Sequence, residues 1–226
     1  MKAFVVDLDS SKNQIMLKPI ARSFNNQAHQ INEAAEKIYE LIKDARYSND
    51  GIVLNHNKIK EAFFSPFEPQ LKNAQVFLSH SHADKNKALK VKDYLEEYLD
   101  AECVFIDSLF WDYKNNVLKE MSKYDNTSKI EDAFTLILRE SLECMIKKCP
   151  YFVFLQSKNS VSLNQDLLGI TYSAWIYEEL RIAHSISSKS RLTIMMESFQ
   201  VSHDTSPFLK SFETITLKKL SQQINS

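Results

Sequence analysis

The run Tyr151-Phe152-Val153-Phe154-Leu155 is apolar at every position. Successive side chains of a strand point to opposite faces, so such a run is stable only where both faces are covered. Pro150 precedes it and ends the stretch Ile130–Lys147, in which Ile130, Phe134, Ile137, Leu138, Leu142, Met145 and Ile146 form one helical stripe. A helix leading into a doubly buried strand predicts an α/β fold, a parallel sheet with helices on both faces.

The same alternation runs through the chain after Asn73. Strands are expected at Ala74–Leu78, Glu102–Ile106, Tyr151–Leu155 and Leu192–Met196, with a fifth at Thr214–Leu217. Helices are expected at Ala83–Leu99, Asn115–Lys123, Ile130–Lys147 and Tyr172–Ser187. Met1–Asn73 reads as a mainly helical N-terminal extension. It holds a strand candidate at Ala3–Leu8, a helix at Asn26–Ala45, a turn at Asn49-Asp50-Gly51, an ambiguous segment at Asn55–Phe64 and a linker at Ser65–Pro69. Ligands of such sheets bind at the carboxyl ends of strands, here Ser79–Asp84, Asp107–Trp111 and Gln156–Asn159.

Composition narrows the chemistry. The only glycines are Gly51 and Gly169, so neither a dinucleotide fingerprint nor a phosphate-binding glycine loop can form. A nucleotide would be held by side chains and helix ends. The formal net charge is -1, which predicts no nucleic-acid partner and no acidic membrane surface. Cys103, Cys144 and Cys149 lack zinc or disulfide spacing and read as free thiols. No apolar stretch approaches the roughly 20 residues of a membrane helix. The N-terminus turns acidic at Asp7, unlike a signal peptide. A cytoplasmic location is expected.

Three segments carry candidate chemistry. At about 100° per residue, Trp175, Ile176, Leu180, Ile182, Ala183 and Ile186 fall on one helical face. Glu179 lies inside that arc, while Glu178 and Arg181 fall beyond its edge and are expected to be solvated. A carboxylate on an apolar face is either a structural ion pair or backbone acceptor, or it lines a pocket. In Ser79-His80-Ser81-His82-Ala83-Asp84, a serine caps the following helix or the segment contacts ligand. His80, His82 and Asp84 imitate an HxHxD metal motif, but Lys85 stands where that motif continues with histidine, and no metal is expected. In Asp107–Tyr113, Phe110 and Trp111 either pack in the core or stack on a planar ring beside Asp107.

Together these segments resemble the bacterial Toll/interleukin-1 receptor (TIR) domain family. VFLSHSHADK at Val76–Lys85 resembles the family's first box, CVFID with SLFWDY its second strand and following loop, and SAWIYEEL at Ser173–Leu180 its box of Trp, Glu and Leu. The resemblance covers a little over half of the chain, and it rests on the order and spacing of all three boxes. It is nearest to a subgroup with a long helical insertion, here about Tyr113–Lys148. Departures are Ile176 where many members have Cys, and the histidines of the first box. The resemblance implies a flavodoxin-like sheet of about five strands over residues 74–226. It also implies cleavage of NAD at the nicotinamide–ribose bond, releasing ADP-ribose or a cyclic isomer, often in antiphage signalling. Glu179 would be the catalytic carboxylate. Ser79, His80, Ser81, Asp107, Phe110, Trp111 and Trp175 would surround the substrate, with no cofactor beyond NAD itself. Partners implied are further copies of the domain and a separate effector that reads the product. The alternatives are a non-catalytic TIR interaction module acting by self-association, and a metal hydrolase using His80, His82 and Asp84.

Overall fold

The computed structural model describes residues 1–17, 37, 40–41, 47–48, 51–52, 55–64, 72–99, 103–106, 119, 128–161, 169–188 and 203–225. The chain divides into two compact units. One comprises Met1–Ala21, Asn73–Asp107 and Met145–Ser226, the other Arg22–Lys72 and Ser108–Cys144. The described strands are β1 (Lys2–Asp7), β2 (Tyr47–Ser48), β3 (Gly51–Ile52), β4 (Val76–Ser79), β5 (Val104–Ile106), β6 (Tyr151–Gln156), β7 (Ile170–Thr171), β8 (His203–Asp204) and β9 (Glu213–Thr214). The helices are α1 (Ser11–Gln14), α2 (His56–Phe64), α3 (Lys85–Leu99), α4 (Ser128–Lys148), α5 (Ala174–Ser188), α6 (Ser206–Leu209) and α7 (Leu217–Ile224).

The first unit is an α/β layer structure around a five-stranded parallel sheet in the order β5-β4-β6-β1-β9. The central strands are apolar at almost every position, as burial on both faces requires. One face presents Phe4, Val6, Val76, Leu78, Val104, Ile106, Val153 and Leu155 to Ala88, Val91 and Leu95 of α3 and to Leu217, Leu220 and Ile224 of α7. The other face is rich in phenylalanine. Phe77 stacks between Phe105 and Phe152 at centroid distances of 5.7 and 5.8 Å, and Phe212 lies 5.9 Å from Phe152. Helix α5 covers this face, with Ile176, Leu180, Ile182 and Ala183 buried.

Strand β1 corrects the expected domain boundary. It pairs with β6 over its whole length, from Lys2 opposite Tyr151 to Asp7 opposite Gln156, and with β9 on its other side. Residues Met1–Ala21 therefore belong to the sheet unit and are not part of an extension. Numbered along the chain the five strands run 3-2-4-1-5; counted from β4 the layout is that of the flavodoxin-like 2-1-3-4-5 sheet, with the N-terminal strand β1 taking the fourth place. The strand expected there, Leu192–Met196, lies outside the described residues, as do most of the expected helices Asn26–Ala45 and Asn115–Lys123.

The second unit includes α2, which the sequence pattern left ambiguous. The Asn55 side chain accepts from the backbone N–H of Asn57 at 3.0 Å and of Lys58 at 3.2 Å, capping the helix start. Lys60 donates to Glu140 at 2.8 Å. Strands β2 and β3 pair antiparallel, Tyr47 opposite Ile52 and Ser48 opposite Gly51; of the turn expected at Asn49-Asp50-Gly51, Asn49 and Asp50 lie outside the described residues. No helix among the described residues is long and apolar enough to cross a membrane.

Candidate functional site

A crevice forms in a parallel sheet where neighbouring strands send their connections to opposite faces. Here that point lies between β4 and β6. Strand β4 continues into α3 on one face, and β6 leads on to α5 on the other. Ser79 ends β4 and points to the α5 face, in register with Phe154.

Helix α5 is fixed at its start and along its outer side. Ser173 Oγ accepts from the Ile176 backbone N–H at 3.3 Å, and Ser173 N–H donates to Thr171 Oγ1 at 3.2 Å. The Tyr177 ring stacks on His203 at 4.8 Å and meets Phe208 at 5.4 Å. Burial raises the proton affinity of the Tyr177 hydroxyl. Held in this way, α5 brings Glu179 to the end of β4, where Ser79 Oγ donates to Glu179 Oε2. Both residues are 0% exposed. A carboxylate removed from water in an apolar shell is stable only with donors at its oxygens, and the Ser79 hydroxyl supplies one. The serine that the sequence offered as a cap or a substrate contact is thus bound to the proposed catalytic residue.

The other expected residues divide into groups. His80 and Ser81 are buried directly after Ser79, and Trp175 is half-buried on α5. Ser81 occupies the N-cap position of a short 3-10 turn, His82–Asp84, but its side chain makes no capping bond. Asp107, Phe110 and Trp111 lie outside the described residues. The expectation that Glu178 and Arg181 are solvated is corrected. Glu178 is 7% exposed and is held by Arg181 in a two-pronged pair at 2.8 and 2.6 Å, which lets a charged residue sit at the edge of the apolar arc.

His80, His82 and Asp84 do not converge as the metal alternative requires. His82 is exposed and His80 buried. Asp84 accepts from Ser157 Oγ and, at 2.9 Å, from Asn159 Nδ2. Among the described residues no three His, Cys, Asp or Glu side chains are grouped to hold a metal.

Sequence reasoning missed the polar network behind this loop, made of Asp84, Ser157, Asn159, Lys87 and Asp9. Lys87 Nζ donates to Asp9 at 2.9 Å and lies 3.6 Å from Asp84. The Lys158 backbone N–H donates to Asp9 at 3.0 Å. That bond and the Lys87 contact hold the Asp9 carboxyl below its ordinary value, and the bond to Asp9 raises the Lys87 ammonium. The available signal was the polar run Ser157–Ser160 directly after an apolar strand. Cys103, Cys144 and Cys149 are free thiols, and burial pushes Cys149 up to about 12.

No protein-family model, curated protein or solved structure matches the chain.

Proposed function

We propose that the protein is an NAD-cleaving signalling enzyme of TIR type, an NAD glycohydrolase or ADP-ribosyl cyclase, with Glu179 as its catalytic carboxylate. The observation that carries this reading is the Ser79–Glu179 hydrogen bond at the switch point between β4 and β6. A carboxylate held by a hydroxyl in a low-dielectric interior suits a reaction that develops positive charge. Cleavage of the nicotinamide–ribose bond is such a reaction. The bonding electron pair leaves with the pyridinium nitrogen, nicotinamide departs neutral, and the anomeric carbon becomes an oxocarbenium-like cation. Glu179 would hold the ribose hydroxyls and stabilise that cation. Water then gives ADP-ribose, or a nucleophilic atom of the same molecule closes a ring. His80 and Ser81, beside Ser79, would lie against ribose or phosphate. Trp175, Asp107, Phe110 and Trp111 complete the proposed substrate contacts. The wider reading includes assembly of several copies and an effector protein that responds to the product.

A second reading has its own support. Glu179 and Ser79 are wholly covered in this conformation, which suits a structural carboxylate in a non-catalytic interaction module. The two readings part in one experiment. Concentrated protein is incubated with NAD and nicotinamide is followed by chromatography, with Glu179→Gln alongside. Release by the parent chain and a loss of about a hundredfold or more in the variant supports the enzyme. Silence from the parent, together with concentration-dependent assembly, supports the interaction module. Equal release from both removes Glu179 from the mechanism.

A further inference from the structure

The Asp84 side chain is 1% exposed, and no step of the reaction above calls on it. Its oxygens are spanned by the loop after β6. Ser157 Oγ donates to Oδ2, and Asn159 Nδ2 donates to Oδ1 at 2.9 Å. Ser157 Oγ also accepts from the Asn159 backbone N–H at 3.0 Å. The loop is a closed turn, because Ser157 N–H donates to Ser160 Oγ at 2.8 Å and Ser160 Oγ donates back to Ser157 O at 3.0 Å. A charge this deep is stable only when its partners surround it, so the carboxylate fixes the separation of the two loops. Lys87, bonded to Asp9 just past β1, extends the same chain of contacts to a third strand end.

On its other side Asp84 reaches the site. Its backbone N–H closes a turn on Ser81 O at 2.8 Å. Ser81 stands two residues beyond Ser79, whose hydroxyl meets Glu179. Asp84 also precedes α3, where an acidic side chain favours the helix end electrostatically. That role would not require its oxygens to reach across to Ser157 and Asn159.

We propose that Asp84 is a positioning residue that clamps the loop after β4 to the loop after β6 and so sets Ser79 against Glu179. The inference rests on the reading of Glu179 as the working carboxylate. Asp84 itself touches no substrate; it acts through the backbone that carries Ser79.

The test uses the full chain with Asp84→Ala, with the milder Ser157→Ala beside it, and two readouts. One is kcat and KM for nicotinamide release. The other is backbone hydrogen exchange across Ser79–Asp84, with Leu217–Ile224 as an internal control. Removal of the clamp is expected to lower kcat roughly tenfold to a hundredfold with KM little changed. Exchange at Ser79–Asp84 should quicken while the control helix exchanges as in the parent. Asp84→Asn keeps one acceptor and offers a donor that the Ser157 hydroxyl can turn to accept, so it should recover most of both losses. Should Asp84→Ala not fold, Ser157→Ala carries the same test. Slow exchange retained at Ser79–Asp84 in the clamp variants overturns the proposal, whatever the activity. So does an unchanged kcat where the parent chain turns NAD over. If the parent releases no nicotinamide, the reaction is wrong, and the exchange pattern alone decides the clamp.

Discussion

Glu178 and Glu179 are adjacent and both buried, yet they are satisfied by different means. Glu178 has a full counter-charge in Arg181, one helical turn away, and their paired geometry reads as structural. Glu179 takes a neutral hydroxyl from another element, a hundred residues earlier in the chain. The Ser79 contact is made by a neutral donor, one that a carboxylate can keep while it meets a developing cation, and this makes Glu179 the better candidate for chemistry. Gly169 is decided equally locally. Its φ is +85°, and a Cβ there would stand 2.2 Å from Ser206 Oγ. The Ser206 hydroxyl can turn aside, but the Gly169 carbonyl accepts from the Thr205 backbone N–H at 2.7 Å and also from the Thr205 hydroxyl, which holds the backbone at a φ that side chains rarely adopt. Gly169→Ala should therefore cost about 1–3 kcal/mol. In thermal unfolding that is a fall of about 2–4 °C for each kcal/mol. An unchanged midpoint would mean that the β7–β8 ladder yields without penalty.

At the scale of elements, the sheet must manage its free edges. Among the described residues β5 is an edge strand, and its Val104 amide and carbonyl point away from β4, whose bond is made to Cys103 O. Helix α3 covers both groups. The Val104 N–H donates to Glu96 Oε1 at 3.0 Å, and Lys92 Nζ donates to Val104 O at 2.7 Å. Lys92 and Glu96 are themselves joined at 2.6 Å across one helical turn. The pair does the work of a missing neighbouring strand and blunts the edge against pairing with another chain. Glu96→Ala should leave the buried Val104 amide without this acceptor and lower stability by about 1–3 kcal/mol. It should also bring concentration-dependent association by light scattering. If the variant stays monodisperse wherever the parent does, the lock has no role in guarding the edge. The helical pattern of α3 was legible in the apolar spacing of Ala88, Val91, Leu95 and Leu99. The lock was not, because its target is a strand whose edge position only the tertiary fold defines.

For the whole molecule, the periodicity of the sequence carried the fold class, the sheet strands β4, β5 and β6, and the placement of Glu179 on an inner face. It did not carry the partner of β1. Ala3–Leu8 has a strand pattern, but Lys2 pairs with Tyr151, and local pattern holds no information about which strand lies beside which across that separation. The boundary drawn after Asn73 and the observed sheet therefore make opposite predictions for a chain beginning at Ala74. By the sequence boundary it is a whole domain. By the structure it lacks the strand between β6 and β9, and with it Phe4, Val5, Val6 and Leu8, each no more than 3% exposed. Burying side chains of this size contributes about 1.5–3 kcal/mol each, or about 6–12 kcal/mol together. A domain's entire stability is about 5–15 kcal/mol. The truncated chain should thus lose its cooperative transition in denaturant and expose an unpaired β6 edge, with aggregation as the visible result. Adding the peptide Met1–Leu17 in trans should recover part of the fold if the loss is that of one strand. A cooperative transition near the parent's midpoint without the peptide would show that another segment can take the fourth place in the sheet.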